Sequence, residues 1–295
     1  MSAEITTQAE AQGREESYWG RARRRFFKNR LAVIALIVLI VMHGAVIILP
    51  HFLKHDPDTI NLFGRFLPPG SKGHLLGTDE MGRDVFARLI HGGRVSLGIG
   101  FSAMLGSIII GTMLGALAGF WGGWVDMIIM RVTDAMLSFP VFFILLTLLT
   151  ILATSIKTIV LVIALTSWMN VARIVRGEVL RAKASQYVEA AIALGNSNWS
   201  VLFRHILPQS MSSIIVSATL GVAYSILTES SLSYLGLGVK PPTASWGNML
   251  SGARSYIWSA PKLVMYPGLL IFATVLLYNA LGDGLRDALD TSARG

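Results

Sequence analysis

Apolar residues in this chain occur in long blocks, not in the short pulses of a soluble helix or strand. Residues 31–50, LAVIALIVLIVMHGAVIILP, carry His43 as their one polar interruption. Residues 95–120 contain no charged side chain, and residues 135–153, AMLSFPVFFILLTLLTILA, form the core of a third block that starts near Asp126. Residues 158–172 make a shorter fourth block ending at Arg173 and Arg176, and 210–228 and 263–281 make a fifth and a sixth. A helix crossing the hydrocarbon core needs about 20 predominantly apolar residues. The pattern therefore predicts an all-α membrane protein with about six transmembrane helices, the fourth at the short limit of what can span.

One stretch between the blocks breaks this rule. YVEAAIALGNSNWSVLFRHILPQ, residues 187–209, is amphipathic. Tyr187, Ala190, Ala191 and Leu194 recur at i, i+3, i+4 and i+7, the spacing of one helix face. Gly195 suits a left-handed helix C-cap, Ser197 suits the N-cap of a second short helix, and Pro208 marks the start of the fifth block. Periodicity leaves two readings open. The hairpin lies flat on the membrane as an interfacial helix, or it docks against another protein, which the small side chains of Ala190 and Ala191 would let approach closely.

Composition supports the membrane assignment. The 295 residues are 53% hydrophobic and 14% charged, with a mean hydropathy of +0.59, against roughly 25% charged in a soluble domain. The net charge is +8, and Lys and Arg lie beside apolar blocks, above all in GRARRRFFKNR, residues 20–30. Placed there, they orient a membrane protein and give no reason to expect a nucleic-acid partner; the surroundings are membrane lipid. With six spans, both termini and residues 173–208, which carry Arg173, Arg176, Arg181, Lys183 and Arg204, are expected in the cytoplasm. The chain then divides into a cytoplasmic tail (1–30), a first span (31–50), an extracytoplasmic loop (51–94), a core transmembrane domain (95–283, with the hairpin at 185–208) and a cytoplasmic tail (284–295). The first twenty residues are polar and are expected to be unstructured or a frayed helix, with no signal peptide. There is no cysteine, which excludes disulfides and cysteine-based metal sites or nucleophiles.

Few residues invite chemistry. Gly111, Gly115 and Gly119 form a small-xxx-small ladder suited to close helix packing in lipid, within the chain or against another subunit. Arg131 and Asp134 stand three apart and are expected to pair on one helix face, orienting the end of the third span near Asp126. Glu229 is an ionisable residue near the outer end of the fifth span: a pathway or gating group, or a structural hydrogen-bonding partner. Gly77-Thr78-Asp79 and Gly82-Arg83-Asp84 precede Val85, Leu89 and Ile90 and suggest a capped helix at the outer interface. His74, Asp79, Asp84 and His91 cluster there without diagnostic ligand spacing, so no metal is expected. GDGLRD, residues 282–287, matches neither a calcium nor a nucleotide loop and is read as ending the last span. No G-x-x-x-x-G-K-[ST] segment is present, so the chain is expected to bind no ATP and to carry no cofactor. No Ser/His/Asp or paired-carboxylate set points to an enzyme.

EAAIALGNSNWSVLFRHILP resembles the EAA loop of ABC-importer permeases, E-A-A-x3-G-x9-I-x-L-P. Glu189, Ala190, Ala191, Gly195, Leu207 and Pro208 fall on the pattern, with His205 in place of its isoleucine and Ile206 beside it. HLLGTDEMGRDVFARLIHGGRVSLGIG (74–100), GGWVDMIIMRVTDAMLSFP (122–140), LTESSLSYLGLGVKPPTASWGNML (227–250) and GDGLRDALD (282–290) are similar to the dipeptide/oligopeptide/nickel branch, and within it to the C-type permease subunit. The likeness covers most of residues 20–290 and departs at Lys262, where relatives tend to have tryptophan, and in the TSARG ending.

The resemblance implies a type I ABC importer permease fold with a cytoplasmic coupling helix, on which Tyr187, Glu189, Ala190, Ala191, Gly195, Leu207 and Pro208 would meet a separate ATPase. It implies a multi-pass subunit of the bacterial plasma (inner) membrane, forming half of a path for dipeptides, oligopeptides or related solutes. The implied partners are a homologous second permease, two ATPases holding ATP and Mg, and an extracytoplasmic substrate-binding protein. A secondary transporter or channel would need ionisable residues along its path, and only Glu229 and the Asp126/Arg131/Asp134 group qualify.

Overall fold

A computed structural model describes residues 18–290. The expectations for the first seventeen residues and for the TSARG ending lie outside that range. Among the described residues the regular structure is helical, and the one β-type pairing is an isolated bridge between Thr78 and Asp84.

Helix α1 (Tyr18–Lys28) turns Ala22 and Phe26 inward and its arginines outward. Asn29 then accepts from the Ala32 backbone N–H at 3.2 Å and starts α2 (Arg30–Ile48). This helix buries only a narrow stripe, Ala32, Ala35, Leu39 and Val46, and exposes Ile34, Ile37, Ile40 and Val41, as expected of a helix whose outer face meets lipid.

Helix α3 (Val85–Trp121) has 37 residues. At 1.5 Å per residue it is about 55 Å long, more than the roughly 30 Å hydrocarbon core. It therefore absorbs residues 85–94, which the apolar pattern had assigned to the preceding loop. Asp84 caps it by accepting from the Ala87 backbone N–H at 2.6 Å.

The expected third span is not straight. Helices α4 (Gly123–Leu137) and α5 (Val141–Ile151) meet at a bend of 86°. Pro140 lies at the break, where it restricts the backbone before it and cannot donate to the preceding turn.

The fourth span is longer than the apolar block suggested. Helix α6 (Ile156–Lys183) has 28 residues and runs past Arg173 and Arg176 without interruption. Those cations do not end it because carboxylates of α4 meet them. Arg176 holds Asp126, with Nη2 2.6 Å from Oδ2, and Arg173 Nη2 lies 2.6 Å from Asp134 Oδ1. The expected Arg131–Asp134 pair is thus replaced by a cross-helix pair, which ties α4 to α6.

After the hairpin helix α7 (Gln186–Ala193) come α8 (Leu207–Tyr234), α9 (Trp246–Ala253) and α10 (Lys262–Leu289). GDGLRD does not break the helix, because α10 continues through it to Leu289. Its glycines provide close contacts instead. A Cβ at Gly284 would overlap the Ala32 side chain, and one at Gly282 would lie 2.6 Å from the Leu220 Cδ2. Among the described residues, five helices are long and apolar enough to cross a membrane, or six when the bent α4–α5 pair counts as one span.

The central contact is α3 against α6. Added Cβ atoms at Gly111 and Gly119 would lie 2.6 Å from Val171 Cβ and 2.9 Å from the Arg176 carbonyl. At Gly115 a Cβ would overlap the Ala172 carbonyl and lie 3.0 Å from Val175 Cβ. The glycine ladder therefore packs inside this chain. Gly115→Leu is expected to force α3 and α6 apart and cost about 1–3 kcal/mol or more. Gly44→Leu, where a Cβ meets nothing within 4 Å, should be tolerated. Size-exclusion profiles and thermal unfolding of the two purified variants check this; equal behaviour would mean that close α3–α6 packing is dispensable.

Candidate functional site

The hairpin is built at one end of the bundle, where α3 and α6 both terminate. Lys183 donates to the Phe120 carbonyl at 2.6 Å, a cation on the last turn of α3. The Ser185 hydroxyl donates back to the Ala182 carbonyl, and its own carbonyl accepts from Val188 and Glu189 N–H as α7 begins.

Helix α7 then divides its residues between two faces. Val188 (0% exposed) and Ala191 (5%) turn inward and join Val201, Leu202 and Ile206 in one buried cluster. Tyr187, Glu189, Ala190, Ile192 and Leu194 are exposed, Leu194 at 83%. The alanine pair is therefore split. Ala190 faces out, but Ala191 lies beneath the helix because it follows Val188 by three positions and shares its inward stripe. The Glu189 side chain makes no hydrogen bond or ion pair among the described residues.

The turn after α7 is held by backbone bonds. Gly195 has φ 82°. Its N–H donates to the Ile192 carbonyl at 2.9 Å, and the Asn196 N–H donates to the Ala191 carbonyl at 3.3 Å. That pair of bonds is a Schellman termination, which needs the left-handed residue that glycine supplies. Ser197 Oγ accepts from the Ser200 N–H at 3.3 Å and starts the return limb. Val201–Ile206 is π-wound, and the Leu207 N–H reaches back to the Leu202 carbonyl. Pro208 follows: its ring crowds the carbonyl four residues back and it has no N–H to give, and the widened turn accommodates both. Leu207 is half-buried and Pro208 exposed.

Aromatic rings fasten the return limb to the bundle. Trp199 lies 4.8 Å from Trp121 at the end of α3 and 5.8 Å from Phe203. An open cleft of 970 Å³ runs beside the hairpin, with Tyr187 and Pro208 on its wall. Glu178, also on that wall, accepts from Ser213 at 2.9 Å and from Arg181 at 2.8 Å, joining α6 to α8.

Glu229 lies at the opposite end and is 0% exposed. It accepts from Ser96 Oγ of α3 at 2.9 Å and from Ser233 Oγ at 2.6 Å. Ser96 in turn accepts from the Trp246 N–H at 3.1 Å, and Ser233 from the Val239 N–H at 3.0 Å. Trp246 Nε1 donates to the Leu89 carbonyl at 2.9 Å. Glu229 is thus the centre of a network joining α3, α8 and α9. Sequence reasoning missed Ser96, Ser233 and Trp246, whose only trace is a hydroxyl inside the second apolar block, another just past the fifth, and an indole beside Ser245.

The polar residues of the stretch before α3 and at its start separate. Asp79 Oδ2 takes Arg83 Nε at 2.7 Å, and Asp84 Oδ2 lies 2.8 Å from His74 Nδ1. His91 lines a 460 Å³ cavity with Asp58, Arg94 and Thr243, away from His74.

Comparisons with known proteins agree with this architecture. Residues 111–295 match the family model described as binding-protein-dependent transport system inner membrane component, and residues 17–69 match the N-terminal TM domain of oligopeptide transport permease C. The oligopeptide transport system permease protein OppC of Bacillus subtilis is 41% identical over 94% of this chain and 91% of its own length. The glutathione transport system permease protein GsiD of Pectobacterium atrosepticum is 40% identical over 92% and 90%. The dipeptide transport system permease protein DppC of Alkalihalophilus pseudofirmus is 40% identical over 93% and 90%. Among solved structures, an amino acid ABC transporter crystallised with histidines aligns with TM-score 0.52 at 16% identity, over 68% of this chain and 92% of that one, which shows a shared fold. The several membrane-length helices, the hairpin between α6 and α8, and these matches together establish that the chain belongs to the family of multi-pass inner membrane components of binding-protein-dependent transport systems.

Proposed function

We propose that this chain is the permease subunit of an ATP-binding-cassette importer for dipeptides, oligopeptides or related small solutes such as glutathione. It forms half of the translocation path and couples to separate ATPase subunits through residues 187–208. The observation that carries this is the two-faced hairpin. Tyr187, Glu189, Ala190, Ile192 and Leu194 are presented outward on a helix anchored from beneath by Val188 and Ala191 and closed by a hydrogen-bonded turn at Gly195. A rigid, partly apolar projection of this kind is an interaction surface. The names of the relatives support the substrate class.

In this reading the partners are a homologous second permease, two ATPases that hold ATP and Mg, and an extracytoplasmic substrate-binding protein. The chain itself makes and breaks no bonds. The basic helix α1 and the hairpin face the cytoplasm, both termini lie there, and residues 51–84 lie outside. Closure of the ATPases displaces the hairpin. Continuous with α6 and α8, the hairpin passes the displacement to both spans and biases a two-state change in access. Glu229, where α3, α8 and α9 meet, holds these elements as one unit during that change.

Three outcomes follow. Ala190→Arg is expected to leave the thermal stability of the chain unchanged, because Ala190 is exposed, and to weaken ATPase association about tenfold or more, which is 1.4 kcal/mol. Co-purification of the ATPases and substrate-stimulated hydrolysis measure it; full retention with normal uptake would make the hairpin a membrane-surface helix only. Topology is accessible because the chain has no cysteine. Ile60→Cys should react with an impermeant maleimide on intact cells, and Leu194→Cys only after permeabilisation. Reaction of both from one side would remove the six-span arrangement. Glu229→Leu should destabilise the chain by about 1–3 kcal/mol, since Ser96 and Ser233 lose their acceptor inside the bundle, whereas Glu229→Gln keeps an acceptor and most of the stability. Thermal unfolding of the two variants distinguishes this from a residue that only faces solute.

A further inference from the structure

We propose that His55, His74 and Asp84 form a binding site for a zinc-class divalent transition-metal ion, which clamps the stretch after α2 to the start of α3. The chain brings these residues together from three places. His55 follows α2, His74 ends the short turn Ser71–Gly73, and Asp84 is the N-cap of α3. Each offers one ligand atom, and the three atoms lie within 4.8 Å of one another.

The donors are oriented. Asp84 is 4% exposed, and its Oδ1 is held by the Ala87 N–H at 2.6 Å, which turns Oδ2 toward His74 Nδ1 at 2.8 Å. A helix cap explains that much. It does not explain the second imidazole, which stacks on the first with ring centroids 4.3 Å apart and planes at 30°. Two imidazoles and a carboxylate converging in a half-buried place supply the nitrogen and oxygen donors that zinc and neighbouring ions take. Metal–ligand bonds of about 2.0–2.2 Å call for ligand atoms about 3.3 Å apart, so a small closing rotation of His55 suffices once the 2.8 Å His74–Asp84 pair opens slightly. His55, partly exposed on a non-helical stretch, is free to make it. Water completes the coordination.

Neighbouring acids have other tasks: Asp79 is taken by Arg83, and Arg88 lies 3.6 Å from it. Arg88 also donates to the Pro57 carbonyl at 3.0 Å and lies 3.1 Å from Asp58. The segment that carries His55 is therefore already fastened to α3 two residues further on, and the ion adds a second point of attachment. Pro57 and Asp58 also wall the 460 Å³ cavity, so occupancy stiffens that wall.

The test uses the full-length chain, purified with a tag free of histidine and stripped with a chelator. Zn²⁺ is titrated by calorimetry, and Co²⁺ by visible absorption. One Zn²⁺ per chain in the micromolar range or tighter, with a Co²⁺ spectrum of low coordination number, is expected, and Zn²⁺ should raise the unfolding temperature. His55→Gln and His74→Gln should each weaken Zn²⁺ binding by at least about 10- to 100-fold. His91→Gln, in the separate cavity, should leave it unchanged. His55→Gln should unfold like the parent chain in chelator, since His55 supports no helix cap, so its loss of binding reports the site and not misfolding. No saturable binding below about 100 μM, or equal binding by the parent chain and His55→Gln, would overturn the proposal.

Discussion

Inside a bilayer there is no water to satisfy a stray backbone group and little hydrophobic drive to press one helix against another. Helices must meet by surface fit, and here the most extensive contact is α3 against α6, closed up at Gly111, Gly115 and Gly119. The backbones approach because no side chain stands between them. Val171, Ala172, Val175 and Val179 of α6 fill the space that the glycines leave. The rest of the molecule is arranged around this seam. At one end Lys183 closes over Phe120, and the hairpin turns back from that point. At the other, Ser96 of α3 meets Glu229 of α8 and the backbone of Trp246.

Polar residues in the spans serve as fasteners across elements. Arg173 and Arg176 draw Asp134 and Asp126 of α4 to α6, and Glu178 joins α6 to α8 through Ser213. Each pairing joins elements that apolar packing alone would leave free to slide. The same logic applies where the loop meets α3: Asp79 lies between Arg83 of the loop and Arg88 of α3, and Asp84 caps that helix. The result is a frame in which the hairpin is continuous with two long helices.

The hairpin shows how far a local pattern reaches. Helix, left-handed glycine, capping serine and proline were legible because each obeys a rule written in its own few residues. Which alanine faces outward was not. Helical spacing places Ala190 and Ala191 on neighbouring positions, and the choice falls to Val201, Leu202 and Ile206, which come back along the return limb and cover Val188 and Ala191.

What the amino-acid order determined by itself is the class of molecule. Apolar blocks of spanning length, flanking basic charge and the glycine steps specify a multi-span helical protein, because burial in lipid is set by composition over a stretch of chain. The tertiary structure alone decided partnership. Arg131 lost Asp134 to Arg173, thirty-nine residues away. Gly282 and Gly284, in a stretch that read as the end of the last span, became contact points for Leu220 and Ala32. His55, unremarked in the sequence, stacked on His74. In each case the deciding neighbour is remote along the chain and close in space, and a helix period records the face on which a residue lies but not what the fold brings against that face.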